Sequence, residues 1–148
     1  MAEATAIDTS VVVAALLSWH ARHPDALAEL DALLGDGSRV LLPVPVLMES
    51  YSVMTRLPPG QRLSASDAHE LLSRTFASSS ELVSVEGRGA WQGLAQGMAA
   101  NISGGATHDL HILLVARAHG ATSILTFNER DFSRLPLEGI RLRVPGTR

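Results

Sequence analysis

The chain has 148 residues, 46% of them hydrophobic, so it is long enough to bury one continuous core and to form a single domain over residues 1–148. With 12 Lys and Arg against 15 Asp and Glu the formal net charge is −3, which excludes both a basic coat for nucleic acid and the acidic excess of a disordered chain. The absence of cysteine and of lysine excludes disulfides, zinc–thiolate sites, thiol nucleophiles, P-loop lysines and Schiff-base chemistry.

The first half of the chain alternates strand and helix signals. In chain order it predicts a strand at 5–7, helices at 11–19 and 24–34, a strand at 39–42, and helices at 46–56 and at 64–76. Pro43 and Pro45 suit the start of the third helix, because a proline in the first turn has no N–H partner to lose. Ser64 or Ser66 is suited to cap the fourth.

The second half continues the alternation. It predicts a strand at 82–85, helices at 91–100 and 107–119, a strand at 123–126 and an edge strand at 140–144. Gly93 and Gly97 weaken the first of these helices, and Gly120 ends the second. Strands that alternate with helices predict an α/β fold around a central, mostly parallel sheet.

The N-terminal sequence MAEATAID lacks the basic start and the long apolar core of a signal peptide. No apolar stretch reaches the ~18 residues that a membrane helix needs. We therefore expect a cytoplasmic protein that does not associate with a membrane.

Acidic residues fall at one end of the predicted strands. Asp8 follows the first strand, Glu49 lies in the helix after the second, Asp109 opens the helix before the fourth, and Asn128 and Asp131 follow the fourth. Ligands of open α/β sheets bind outside the carboxyl ends of the strands. Converging carboxylates repel one another unless a divalent cation neutralises them, and oxygen-only ligation suits Mg²⁺ or Mn²⁺. Such a site favours phosphodiester hydrolysis.

Each acid also has a purely structural explanation. Asp8 is suited to cap the helix that follows it, and Asp109 to compensate the dipole of its own helix, which would hold it ionised. Glu49 fits a solvated helix position, and Asp131 fits a turn or a cap. Spacing along the chain alone does not decide between these explanations and a metal site.

Arginines are the candidate phosphate contacts, because a guanidinium binds phosphate with two parallel hydrogen bonds. The candidates are Arg56, Arg62, Arg88, Arg117, Arg130 and Arg134. Arg130 is favoured among them. Trp19, Trp91 and the apolar run 11–17 are expected in the core or at an interface, and the surface of the early helices is expected to bind a partner. His108 and His111 have no evident third zinc ligand, so we expect them at the surface.

Four segments, AIDTSV, PVPVLMES, THDLHILLVARAHGA and ILTFNERDF, together resemble the PIN-domain nucleases. Among these nucleases they are most similar to the short single-domain toxins of the bacterial VapBC toxin–antitoxin systems. The resemblance covers essentially the whole chain, with the segments in order. It implies a three-layer PIN-like domain with a central, mostly parallel sheet flanked by helices.

The resemblance also implies a site. The first three acids of the family match Asp8, Glu49 and Asp109, and the hydroxyl beside the first acid matches Ser10. Asp8 and Asp109 would then be the principal ligands of Mg²⁺, with Mn²⁺ as a substitute. Thr126 would hydrogen-bond the carboxylates together with Ser10.

The last motif departs from the family pattern. Asn128 stands where the family often has an acid, whereas Asp131 matches the acid of a family variant, so either residue can complete the site. Glu49 and Asp131 would position water or complete the metal shell, and Asn128 would hydrogen-bond the carboxylates. Arg130 lies within the same motif and would contact substrate.

The function implied is a Mg²⁺-dependent endoribonuclease that is inhibited by a cognate VapB-like antitoxin and forms a homodimer. The alternative is a catalytically silent PIN-like protein that acts by binding, for which Asn128 is the motive. A phosphatase or receiver on a doubly wound sheet also places an aspartate after its first strand. A phosphatase of that kind needs an acid where Ser10 stands, and both normally use a lysine, which this chain lacks.

Overall fold

A five-stranded sheet forms the centre of the protein in the computed structural model, which describes residues 3–147. The strands are β1 (Ala4–Ile7), β2 (Arg39–Pro43), β3 (Glu81–Val83), β4 (Ser123–Leu125) and β5 (Arg141–Arg143). Their order is β3-β2-β1-β4-β5, and every neighbouring pair is parallel. The expected α/β fold with a central parallel sheet flanked by helices is therefore confirmed.

The helices are α1 (Thr9–Leu16), α2 (His23–Gly35), α3 (Val44–Thr55), α4 (Ala65–Phe76), α5 (Gly87–Ala99), α6 (Ala106–Ala118) and α7 (Glu129–Phe132). The Ser64 hydroxyl caps α4 by accepting a hydrogen bond from the Asp67 N–H at 3.0 Å. Within residues 3–147 every helix is too short or too polar to cross a membrane.

Several helix boundaries differ from prediction, and one short helix was not predicted. Helix α1 ends at Leu16 and not at residue 19, because Leu17 is extended (φ −106, ψ 104) and turns its side chain into the core. Helix α5 begins at Gly87, ahead of the predicted residue 91. The short helix α7 was not predicted, since four residues give no measurable apolar periodicity.

The strand order reverses beside β1. The chain runs outward from β1 through β2 to β3, and then returns to place β4 on the other side of β1. Such a reversal opens a crevice at the carboxyl ends of the two strands. Ile7 and Leu125 are paired in register, and the Asp8 N–H donates to the Leu125 carbonyl at 3.0 Å. The residues that follow β1 and β4 therefore lie side by side.

Helix α5 packs on α6 through small residues. Gly93 and Gly97 lie on its buried face, against the side chains of Leu114 and Leu110. The opposite face exposes large apolar side chains, among them Trp91 at 76% exposure. Of the two places expected for Trp91, the core is therefore wrong, because the glycines and not the tryptophan form the contact with α6, and an interface role stays a prediction.

The apolar run at the start of α1 is core and not a free surface. Val11, Val12, Ala14 and Ala15 are all buried, and α1 packs against α2 and α3. Trp19, just beyond the helix, is 49% exposed, so its predicted core position is also wrong. An interface role for Trp19 stays a prediction.

We predict that Gly97→Val lowers the free energy of unfolding by about 2 kcal/mol, because the new side chain overlaps Leu110 in a packed interface. Gln92→Val places the same side chain on the exposed face of α5 and is the matched control. Urea denaturation followed by circular dichroism measures both. Equal unfolding midpoints for the two variants would show that α5 is not packed on α6 as described.

Candidate active site

Asp8 is a buried carboxylate at the junction of β1 and α1, with 2% of its surface exposed. It occupies the N-cap position of α1, yet its side chain makes no capping hydrogen bond. Its Oδ2 instead accepts hydrogen bonds from the Ser10 and Thr126 hydroxyls, both at 2.8 Å, and a longer one from Asn128 Nδ2 at 3.5 Å. Helix capping therefore does not explain this residue.

A second set of hydrogen bonds fixes the donors to Asp8. The Ser10 hydroxyl accepts from the Phe127 N–H at 3.1 Å, and the Thr126 hydroxyl accepts from the Asn128 N–H at 2.8 Å. The segment after β4 is thus tied to the Asp8 carboxylate by both side chain and backbone. The Ser10 and Thr126 hydroxyls both donate to Oδ2 and are themselves fixed by backbone N–H groups. The carboxylate is therefore held in one orientation.

Asp109 lies in the first turn of α6 and is partly buried beside the same cleft. Burial, as the largest cause, and the negative charges of Asp8, Asp131 and Glu49 together raise its pKa to about 6, while His108 opposes the shift. The helix dipole was expected to favour the ionised form of Asp109, but the net shift of its pKa is upward. Desolvation and like charges outweigh the dipole here.

The other two predicted acids are exposed. Glu49 lies on α3 and lines the cleft, whereas Asp131 lies on α7 and does not line it. Both nevertheless act electrostatically on Asp109, so the fold brings the charges of Asp8, Glu49, Asp109 and Asp131 to one region. The spacing of these acids along the chain did not by itself establish that they lie close together in the fold.

The cleft has a volume of about 980 Å³ and opens between α1, α3, α6 and the segment after β4. Asn128 lines it, but Arg130 does not. Arg22 and Arg56 lie on its rim. Sequence analysis missed Arg22, because its place depends on Phe127, which is far away along the chain.

The donor set fits a hydrated cation. Within residues 3–147 no three His, Cys, Asp or Glu side chains are grouped to hold a metal ion by themselves, so the histidines of α6 gain no support as zinc ligands. Mg²⁺ keeps several waters and needs only one or two carboxylates. The Thr9 hydroxyl beside Asp8 is buried at the cleft without a hydrogen-bond partner, and a metal-bound water would supply one.

Comparison with known proteins decides the family. Residues 5–137 match the PIN domain. The chain belongs to the PIN-domain family. The resemblance found in the sequence is thereby confirmed, and the match spans all the acids of the site.

This PIN domain has a relative in Mycobacterium tuberculosis (strain CDC 1551 / Oshkosh), ribonuclease VapC40. The two are 34% identical over 135 residues, which cover 88% of this chain and 93% of VapC40. Because this identity extends over most of both chains, the protein is similar to VapC40 in sequence as well as in fold.

Solved structures share the fold. VapBC2 from Rickettsia felis, bound to a DNA fragment from its promoter, matches with a TM-score of 0.70 and 20% identity over 96% of this chain and 98% of that one. VapC20 from Mycobacterium tuberculosis, described as a sarcin–ricin loop cleaving toxin, matches with a TM-score of 0.69 and 19% identity over 87% and 92%. These matches show the same arrangement of strands and helices.

We predict that Asp109→Asn stabilises the metal-free protein at neutral pH by about 1 kcal/mol, after allowance for solvent screening of a partly exposed group. The folded protein holds the Asp109 proton more tightly than the unfolded chain, whose pKa is the ordinary 3.8. The bound proton on Asp109 therefore stabilises the folded state fully below pH 3.8, and this stabilisation is lost as the pH rises through about 6.

Urea denaturation in EDTA at about pH 7.5 and about pH 4 measures the effect, which shrinks at the lower pH. Asp31→Asn, on the exposed surface of α2, is the control for a changed net charge. A stabilisation by Asp109→Asn no larger than that of Asp31→Asn would contradict the electrostatic strain.

Proposed function

We propose that this PIN domain is a Mg²⁺-dependent endoribonuclease and the toxin of a toxin–antitoxin pair. The observation that carries the proposal is the Asp8 carboxylate, which is buried at the reversal of the strand order and oriented by its hydrogen bonds. The charges of Asp8, Asp131 and Glu49 lie close enough to Asp109 to raise its pKa. The relative VapC40 is named a ribonuclease, which supports RNA as the substrate.

Asp8 and Asp109 would hold Mg²⁺, or Mn²⁺ in its place, and the hydroxyls of Ser10 and Thr126 would keep Asp8 in position. The bound cation would neutralise the scissile phosphate and lower the pKa of a water molecule. The raised pKa of Asp109 means that a proton competes with the cation for this carboxylate near pH 6.

Glu49 would position the attacking water or complete the metal shell, and it would accept the proton of that water; its exposed position in the cleft lining supports this role. The water oxygen would form the new bond to phosphorus, and the bond from phosphorus to the leaving oxygen would break, with the leaving oxygen keeping the electron pair and taking a proton from solvent. Asp131 would position water or complete the metal shell from its place on α7, and Asn128 would orient Asp8. Arg130, which lies outside the cleft lining, would contact the substrate beyond it.

We predict that Asp8→Asn or Asp109→Asn lowers the rate of RNA cleavage by about 100-fold or more, because each removes a charge that binds the cation. EDTA has the same effect on the wild-type protein, and Mn²⁺ restores activity. The measurement is cleavage of total cellular RNA by purified, antitoxin-free protein, resolved on a denaturing gel.

Asp31→Asn is the control, since it removes a carboxylate on α2 away from the cleft. Wild-type rates in the Asp8 and Asp109 variants would contradict the metal site. No cleavage by a folded wild-type protein in any metal would contradict the enzyme and favour the silent binding protein.

We also propose two protein partners, a cognate VapB-like antitoxin and a second copy of the chain, in the cytoplasm. The Rickettsia felis relative is described as a VapBC complex, which supports the antitoxin. The monomer leaves Met48, Trp91 and Met98 largely exposed, at 63%, 76% and 72%. Large apolar side chains in water favour association.

A homodimer is expected to have about twice the chain mass of 15.7 kDa. Size-exclusion chromatography with light scattering measures it on the antitoxin-free protein, and addition of the antitoxin is expected to abolish cleavage. A constant monomer mass across the accessible concentration range would contradict the dimer, and undiminished cleavage would contradict the antitoxin.

A further inference from the structure

The acidic cleft poses a problem for any nucleic-acid substrate. The acids repel phosphate, the chain has a net charge of −3, and all of its Lys and Arg positions are arginine. A cation at the acids neutralises only the scissile phosphate. The neighbouring phosphates of the strand need positive side chains along the cleft.

Most arginines in the described part of the chain already have partners. Ion pairs join Arg39 to Glu81, Arg74 to Glu70, Arg117 to Glu138, Arg141 to Glu3 and Arg143 to Glu29. Arg62 donates to the Leu57 carbonyl at 2.7 Å. Of the arginines in residues 3–147 that pair with no carboxylate, Arg22 and Arg56 are the two that line the cleft.

Arg22 is held by an aromatic ring. Its guanidinium carbon lies 4.2 Å from the centroid of the Phe127 ring. Phe127 is in turn fixed to the site, because its N–H donates to the Ser10 hydroxyl that orients Asp8. A guanidinium stacked on a ring presents its N–H groups at its edge, where they can bind phosphate with two parallel hydrogen bonds.

Arg56 lies at the end of α3, on the cleft side. Glu49, Ser52 and Arg56 all line the cleft, and the seven residue steps from Glu49 to Arg56 span about 10 Å of helix axis. Arg56 Nη1 donates to the Ser52 hydroxyl at 3.3 Å, which directs the side chain along this face. Arg56 therefore lies in the cleft lining about two helical turns from Glu49.

We propose that Arg22 and Arg56 bind the backbone phosphates next to the scissile one in a single-stranded RNA substrate. The proposal rests on the proposed ribonuclease function. Both residues are positioning residues that hold the strand against the acids and take no part in bond breaking. Their effect therefore falls on substrate binding and KM, and little on kcat.

The test measures binding of a fluorescent single-stranded oligoribonucleotide by anisotropy, in an Asp109→Asn background in which cleavage is expected to be about 100-fold or more slower. Arg22→Ala and Arg56→Ala are each expected to weaken binding about fivefold to tenfold and to reduce the salt dependence by about one phosphate contact. Arg74→Ala, on the exposed surface of α4, removes the same charge away from the cleft and is the matched control.

Two further variants separate the stacked geometry from simple charge. Arg22→Lys keeps the charge but loses the planar, two-bond contact, so its affinity is expected to fall between wild type and Arg22→Ala. Phe127→Leu removes the ring beneath Arg22 and is expected to weaken binding in the same direction. In the cleaving wild-type background, Arg22→Ala and Arg56→Ala are expected to raise KM with kcat nearly unchanged.

Affinities of Arg22→Ala and Arg56→Ala equal to that of Arg74→Ala would overturn the proposal, whether or not the wild-type protein cleaves RNA. Loss of binding in both variants supports it even where the wild-type protein fails to cleave, and that failure then counts against the nuclease alone. Thermal melts of each variant show whether a loss of binding reflects unfolding.

Discussion

The reversal of strand order beside β1 is the constraint on which the site depends. Because β4 returns to the far side of β1, the residues after the two strands meet, and the Asp8 N–H binds the Leu125 carbonyl. This contact places the Thr126 hydroxyl on Asp8 Oδ2. Burying a carboxylate costs free energy, and the charge-assisted hydrogen bonds to Asp8 offset this cost. The other residues of the site are arranged around Asp8.

The carboxylates of the site lie close enough to repel one another, and this repulsion destabilises the folded protein. The raised pKa of Asp109 shows that burial and the surrounding carboxylates disfavour its ionised form. Electrostatic strain of this kind is typical of functional sites, where it is relieved when a cation binds. Arg22 and Arg56 also line the cleft, so positive charge lies near the acids, where the proposed RNA phosphates would bind.

Sequence patterns among neighbouring residues predicted most helices and strands. They failed at positions that contacts between distant residues determine. The Ser64 cap, the glycine after α6 and the apolar strands were visible in the sequence because each depends on neighbouring residues. Leu17 leaves the helix to fill the core, and Trp91 lies in solvent because Gly93 and Gly97 pack on α6. Neither outcome can be derived from periodicity, since both depend on elements elsewhere in the chain.

The sequence by itself determined the α/β alternation, the family and the acids that follow the strands, because these depend on residue type and order. Only the tertiary structure decided that Asp8 binds Ser10 and Thr126 and does not cap α1, and that Asp109 is strained and not relieved by its helix. It also decided that Arg22 stacks on Phe127 at the cleft. Hydrogen bonds, burial and charge repulsion act through distances in space, and the order of residues along a chain does not specify those distances.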